Sequence, residues 1–480
     1  MKVIQVKRTM SDVIHSNNGL SLYLKNLSRG REMTPHSWLY EKEKSETTLQ
    51  RWIPQMEAAN NMTEFGEIFN SFDLKQVEKF GPQGGIPPMN SPEVWAVIEP
   101  LYSPTEYDSE LALAEWFPQA EEFGKRVFRH VKRDCPLTAK SVLEDMDRRD
   151  TLTTNSGYPR FTRREKVQQA EVLDALTGKA YDYPAIVLFR YYYGKLRPVW
   201  MFPMSQNLTE ASFALKIQRE LAQSPLEWVR GYCTPWLGYD HVKSQLTQHW
   251  SGQQIDGGDT TKMDAHMRKA QMTLVFHIVK WLFQERYWEE LRASLQHVCE
   301  IDLLISESEM IVGNHGLASG SSWTQLSETV LQLFMAYVAG VHGQGIGDDF
   351  YWLTDMTAEN LVEFLGKFGL PANPQKQSVS NDTLTFLQRL NHQSYFSRDD
   401  GRILGAYYPT IRALGSLLMP EKFHKPKEWN VNMFCTRNFT ILENCVDDPS
   451  FDEFVKFVCR GHREMIPFAK KSNGELHMIQ

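Results

Sequence analysis

No run of about 18 consecutive apolar residues occurs in this 480-residue chain, so a membrane-spanning helix is not expected. The closest approach, residues 330–341, is shorter and is interrupted by Gln332. The N-terminus, MKVIQVKRTMSDVIHS, lacks the apolar core and small-residue cleavage site of a secretory leader. Cysteine is scarce as well. The six, at 135, 233, 299, 435, 445 and 459, form no CxxC and no zinc-finger spacing, which argues against a disulfide framework or a structural zinc. A reducing, intracellular setting is expected. Fixed-period repeats and low-complexity tracts are missing too. Nor is there a surplus of positive charge: the formal net charge is −7, unlike that of a protein that binds nucleic acid through its overall charge. A cleft can differ in sign from the whole surface. Residues 125–166 carry twelve Lys/Arg against six Asp/Glu, either a polyanion-facing surface or a solvated helix face.

What the chain does contain is ordinary globular material. Hydrophobic residues make up 42% and charged residues 23%, and thirteen Trp with twenty-six Phe exclude a disordered chain. The length allows one large core or the cores of two or three subdomains. Residues 1–70 read as mixed polar helix and loop. GPQGGIPPMNSPE (81–93) reads as an ordered connection, and AIVLFRYYY (185–193) as a strand. A strand is expected over 254–258 and a long helix from 265, with Met267, Leu274, Ile278, Trp281 and Leu282 on one face. Helices are expected over 321–340 and 358–368, the latter capped by Thr357 and stopped by Gly369 with Pro371 beyond. TLTFLQRL (383–390) reads as a short strand, and the last 70 residues as mostly helical.

GIGDDFYW (345–352) places Asp348 and Asp349 behind glycines and ahead of a convincing strand, FYWL; the glycine-rich GVHGQGI before it is a weak one. A hairpin with the carboxylates at its corner is the natural reading. Such a corner is either a surface turn or a site for a hard divalent cation, which prefers carboxylate oxygen. Upstream, Asp259 and Asp264 stand at a strand-to-helix join, as helix caps or as a second carboxylate pair. Two divalent ions roughly 4 Å apart serve phosphoryl transfer, one at the attacking oxygen and one at the leaving group. Ser319-Gly320 precedes a helix and suits a phosphate or ribose, or merely caps that helix. Lys195 and Arg197 alternate onto one face of a strand-like segment near Arg190, within reach of a triphosphate or covering Tyr191–Tyr193 with their stems.

Taken in order, these segments resemble the motifs of viral RNA-dependent RNA polymerases. DTTKMD (259–264), SGSSWT (319–324) and GDD (347–349) resemble motifs A, B and C. TNSGYP (154–159) is similar to motif G, and KLR (195–197) with Arg190 to motif F. FGLPANPQK (368–376) resembles motif D, and FLQRL (386–390) motif E, the primer grip. The pattern most resembles the polymerases of small double-stranded RNA viruses, picobirnaviruses first and partitiviruses less closely.

The resemblance implies an α+β right-hand fold with fingers, a palm built on an antiparallel sheet and a helical thumb, encircled by fingertips. It divides the chain into an N-terminal segment linking fingers and thumb (1–80), fingers (81–245), palm (246–394, with a finger insertion at about 275–312) and thumb (395–480). It also implies RNA-directed RNA synthesis from NTPs on a template and nascent strand, for replication and transcription of the genome. Asp259, Asp348 and Asp349 would hold Mg²⁺, with Mn²⁺ able to substitute. Asp264 would sense the ribose hydroxyls. Ser319, Gly320 and Thr324 would shape the nucleotide pocket, and Arg190, Lys195 and Arg197 would neutralise the triphosphate. Lys376 would act as general acid for pyrophosphate, with Lys367 as its rival. Ser156 and Gly157 would guide template, and Arg389 would contact the primer. Many relatives have Asn where this chain has Glu328, so sugar recognition here departs from the common pattern. A monomeric catalytic unit, inside a virion or in host cytoplasm beside a capsid protein and away from membranes, is expected. Reverse transcription, a two-metal nuclease and non-catalytic RNA binding are the rivals. The first would more often show Tyr-x-Asp-Asp; the others leave the ordered motifs unexplained.

Overall fold

The computed structural model describes residues 1–258, 260–422 and 429–478. Its strands are Lys2–Gln5 (β1), Ala185–Tyr192 (β2), Lys195–Met201 (β3), Ile255–Gly258 (β4), Leu303–Leu304 (β5), Glu309–Val312 (β6), His342–Ile346 (β7), Asp349–Leu353 (β8), Ser378–Ser380 (β9), Thr383–Phe386 (β10) and Arg389–His392 (β11). They form a five-stranded sheet in the order β1-β6-β5-β2-β3, a four-stranded sheet β7-β8-β4-β9 and the hairpin β10-β11. The four-stranded sheet is antiparallel throughout. In the larger sheet only β2 and β5 run parallel.

Three local readings are corrected, and a fourth holds. Residues 2–5, expected as loop or helix, form a strand that pairs with β6, because partners more than 300 positions away supply its ladder. The weak strand expected ahead of Asp348 is present, as β7. Its glycines admit close neighbours: a Cβ on Gly343 would sit 1.9 Å from the Tyr351 carbonyl oxygen. The long helix from 265 is broken into Met263–His266 and Lys269–Val279. At the break Arg268 is extended and buried, donating to the Ala265 and Ser103 carbonyls and pairing with Asp108 at 3.2 Å. TLTFLQRL is a hairpin rather than one strand, with Leu387 and Gln388 both at positive φ in a two-residue turn whose twist suits the flanking strands. The other helices run Thr324–Ala339 and Ala358–Gly366, the second capped as expected by the Thr357 hydroxyl.

The N-terminal helix Ser45–Asn60 buries Leu49, Trp52 and Met56 against C-terminal Ile411, Leu414, Phe454 and Phe457. Asp73 fastens the same junction. It is fully buried and accepts from the Tyr407 hydroxyl, the Thr410 amide and hydroxyl, and the Ile411 amide, all at 2.7–2.8 Å. The chain's two ends are thereby locked together. The glycine- and proline-rich connection is ordered, as expected: Arg31 and Ile86 exchange backbone bonds, and the Gly84 amide donates to the Tyr191 carbonyl. Among the described residues no helix is long and apolar enough to cross a membrane, and all six cysteines are free.

Candidate active site

Gly347 and Asp348 form the two-residue turn between β7 and β8, with Ile346 paired to Asp349. Gly347 has φ +60°, the left-handed conformation that favours glycine. Its amide donates to the Thr329 hydroxyl at 2.9 Å, which fastens the turn to the Thr324–Ala339 helix. Beside this hairpin runs β4, where Gly258 faces Phe350; a Cβ on Gly258 would meet that ring at 2.0 Å. β4 ends at the position before Asp259, the expected metal ligand, which lies outside the described residues. Thr260, immediately after it, bridges to Ala372, and the Thr261 amide donates to Pro371.

Asp264 follows on the short helix Met263–His266, and its carboxyl is hydrogen-bonded to Glu328. Two carboxyl groups so placed must share a proton. Burial raises the Glu328 carboxyl well above its usual range, and the Asp264 and Asp348 charges push it further. Asp264 is also raised, chiefly by desolvation and then by Asp348, opposed by its hydrogen bond to Glu328 and by the Arg197 charge. Glu328 therefore holds the proton and Asp264 accepts it. Glu328 is 4% exposed, and its Oε1 has no partner. Asp348 and Asp264 are open to the cleft. Among the described residues no three His, Cys, Asp or Glu side chains form a metal cluster; exposed Asp348 is the carboxylate here whose chemistry suits a hard divalent cation.

The basic residues divide. Arg197 on β3 lies close enough to Asp264 to act on its charge, whereas Lys195 sits exposed near the β2–β3 hairpin tip. Arg190 pairs opposite Arg197 in the ladder, yet its guanidinium is bound twice to Glu421, at 2.6 and 2.7 Å. In this conformation Arg190 is a latch to the C-terminal region.

The Ser319-Gly320 loop is pinned rather than flexible. The Trp200 amide donates to the Ser319 carbonyl at 2.7 Å, and Gly320, at φ +111°, packs so tightly that a Cβ would meet the Trp200 carbonyl oxygen at 2.2 Å. Its position differs from the helix N-terminus expected, since the helix begins at Thr324, whose hydroxyl donates to Ala318. Ser156 is wholly buried, its hydroxyl accepting from the Thr162 amide. Gly157, at φ +70°, abuts the Phe202 carbonyl. This pair shapes its loop from inside. Lys376 is exposed, two residues before β9, whose first residue Ser378 pairs with Gly257 of β4. Lys367 reaches Glu363 at 4.0 Å instead. The Arg389 guanidinium lies over Tyr239 and Tyr408, 4.3 and 5.1 Å from the ring centroids, and Tyr239 senses the Asp349 charge.

Two supporting residues escape sequence reasoning. Glu210 is fully buried and accepts from the Ser321 hydroxyl and Ser322 amide at 2.8 Å, holding the serine loop from below; burial pushes its carboxyl up to about 7. Thr329, which ties the helix to the Gly-Asp-Asp turn, is one apolar-facing threonine among several. Glu210 lies in the helix Met204–Ala222 among other buried polar residues, Gln206 and Asn207 included, so nothing in the local sequence singles it out.

No protein-family model matches the chain. A protein of Human picobirnavirus (strain Human/Thailand/Hy005102/-), described as a potential RNA-dependent RNA polymerase, is 25% identical over 482 aligned positions, spanning 93% of this chain and 86% of that protein. The crystal structure of the RNA-dependent RNA polymerase of a human picobirnavirus superposes with a TM-score of 0.82 at 21% identity, over 99% of this chain and 94% of that one. An insertion-loop deletion mutant of such a polymerase gives 0.81 at 21% identity, over 97% and 94%. The chain thus has the right-hand fold of those polymerases, and by sequence along nearly its whole length it is a relative of the picobirnavirus RNA-dependent RNA polymerases.

Proposed function

We propose that this chain is an RNA-directed RNA polymerase that copies a viral RNA template from NTPs, for replication and transcription of a double-stranded RNA genome. One observation carries the reading. The Asp348-Asp349 turn and the Asp264–Glu328 carboxyl pair face one cleft, beside Arg197, in a chain with a picobirnavirus polymerase fold. In this reading residues 1–80 link fingers and thumb, 81–245 are fingers, 246–394 palm and 395–480 thumb.

Asp348 and Asp349, with Asp259, would hold Mg²⁺ or Mn²⁺. When bound, these ions supply activation of the attacking 3′-hydroxyl and stabilisation of the departing pyrophosphate. The protein's own groups do the rest. Arg197 draws the triphosphate into the cleft, with Lys195 further out, and fixed cations of this kind favour charge developing in the transition state. Asp264 accepts a ribose hydroxyl, and protonated Glu328 holds it in place. Ser319, Gly320 and Thr324 fix the pocket floor through their bonds to β3 and Ala318. Lys376 protonates the leaving pyrophosphate, and Arg389 steadies the primer strand beside Asp349. RNA and NTPs are the partners; a capsid protein, a monomeric catalytic unit and a site of action in the virion interior or host cytoplasm complete the proposal.

The test is incorporation of labelled NTP on single-stranded RNA, comparing wild type with Asp348→Asn, each with Mg²⁺ and with EDTA. Template-dependent product is expected only from wild type with metal. A folded wild type that binds RNA but makes no product, even with Mn²⁺ and a primer, would overturn the polymerase reading. Full-rate product from Asp348→Asn would move the metal site elsewhere.

A further inference from the structure

Between the β2–β3 hairpin and the C-terminal helices lies a half-open cavity of about 290 Å³, apart from the Asp348 turn. Gln83, Tyr192, Tyr408, Ser416, Lys422 and Arg437 contribute to its walls. The cavity's charge balance is unusual for this acidic chain. Glu421 is the carboxylate in its lining, and it is already engaged by Arg190. Arg437 donates through Nη2 to the Ser416 carbonyl at 2.5 Å, but its Nη1 has no acceptor. Arg412 lies over the Tyr193 and Tyr192 rings, 3.9 and 5.7 Å from their centroids, and its Nε has no acceptor either. Among the described residues neither guanidinium has a carboxylate within ion-pair reach.

Buried guanidinium donors without acceptors are costly unless a ligand meets them, and a guanidinium fork matches phosphate oxygens in both geometry and charge. Tyr192 and Tyr408 line the same cavity, and base-on-aromatic stacking tolerates any base. The size is at the lower end of ligand pockets, about 300 Å³ and upward, so it would enclose a phosphate group and leave a nucleoside half exposed.

We propose that this cavity is a second phosphate-binding site, taking the phosphates of a nucleotide between Arg437 and Lys422 with its base against Tyr192 or Tyr408. Because its walls come from both the hairpin and the C-terminal helices, a ligand there would strengthen the latch that Arg190 and Glu421 begin. The proposal stands on the cavity's own residues and does not require the catalytic assignment. A free nucleoside triphosphate and a phosphate of bound RNA share this chemistry.

The experiment measures binding and thermal stability of the full chain in EDTA, where metal-dependent loading of the catalytic cleft is removed. The probes are inorganic tripolyphosphate, GTP, guanosine and a short single-stranded RNA. Wild type should be stabilised by tripolyphosphate and GTP but not by guanosine, and Arg437→Gln should weaken both at least about fivefold while its own melting temperature stays within a few degrees. Should that variant misfold, Lys422→Ala provides the same reading at a more exposed position, with a smaller loss. Asp348→Asn should bind as wild type does. If the RNA alone binds, and Arg437→Gln weakens it, the phosphate comes from the strand rather than from a free nucleotide. Absence of any phosphate-dependent binding, or binding untouched by Arg437→Gln and Lys422→Ala, would overturn the site.

Discussion

The junction of the chain's two ends and the catalytic cleft both bury acidic groups, and they treat them in opposite ways. Asp73 is sealed from water yet receives four hydrogen bonds from Tyr407, Thr410 and Ile411. Burial still raises it to about 6, but each donor pulls it back. In the cleft, Glu328 has only another acid for company, and one of its oxygens is unpartnered. Asp256, on β4 beneath the site, has neither oxygen satisfied, and burial alone pushes it up to about 6. A compensated acid holds structure together. An uncompensated one stores electrostatic cost that a cation, a substrate hydroxyl or a proton can relieve.

The largest effect should come from removing charge on the cleft side at its exposed tip. Asp348→Asn should cut nucleotide incorporation at least ~10³-fold, about 4 kcal/mol of transition-state stabilisation. Its melting temperature should barely move, because the side chain is exposed. At the junction the outcome should be reversed. Asp73→Ala leaves four donors, three of them at Thr410 and Ile411, without their acceptor, and should destabilise by roughly 3–5 kcal/mol. Activity lost in that variant should return on lowering the temperature or adding an osmolyte. If Asp73→Ala melts like wild type, the distinction between the two regions fails.

How much of this was legible beforehand follows the same division. The cleft residues come in short, ordered segments, so Asp264, Arg197, Gly320 and the Gly-Asp-Asp turn could be located from local sequence. The expected hairpin at 345–352 and the capped helix after Thr357 were readable because turn and cap chemistry is local. What escaped depends on distant partners. Strand β1 exists because residues 309–312 pair with it, and Arg268 breaks its helix because Ser103 and Asp108 take its guanidinium. Arg190 was readable as a cation near a triphosphate, but its hold on Glu421 joins positions 231 apart. Glu210 lies in no recognisable motif, since its task is to support serines more than 100 residues away.

A smaller effect tests Asp256 through pH. Its carboxyl is raised from 3.8 to about 6, so the folded state binds the proton more tightly than the unfolded chain. The ionised form is therefore penalised in full above pH 6, and the penalty disappears as pH falls below the unfolded value. The shift corresponds to about 3 kcal/mol. An asparagine amide, itself lacking partners, should recover roughly 1–2 kcal/mol of that. Urea midpoints should show Asp256→Asn more stable than wild type at pH 8, with the gap closing towards pH 4. A constant gap would mean that Asp256 is already neutral, or well solvated, at both values.

Glu328 gives the finest discrimination. If it carries the shared proton and holds Asp264 by donating to it, an amide can replace it, because glutamine also donates a hydrogen bond without bringing charge. Glu328→Gln should keep ribonucleotide incorporation within about threefold of wild type at neutral pH. Glu328→Ala frees Asp264 and should lose roughly tenfold in preference for ribo- over deoxyribonucleotides, about 1.4 kcal/mol. The pH dependence separates the two variants further. As pH rises through the raised value of Glu328, wild type gains a third negative charge beside those of Asp264 and Asp348, so its selectivity should fall, whereas that of Glu328→Gln should stay flat. If glutamine proves as damaging as alanine, the negative charge at 328 is what the site uses. The proton then rests on Asp264, and the cleft pair would be a metal-facing carboxylate instead of a sugar-facing acid.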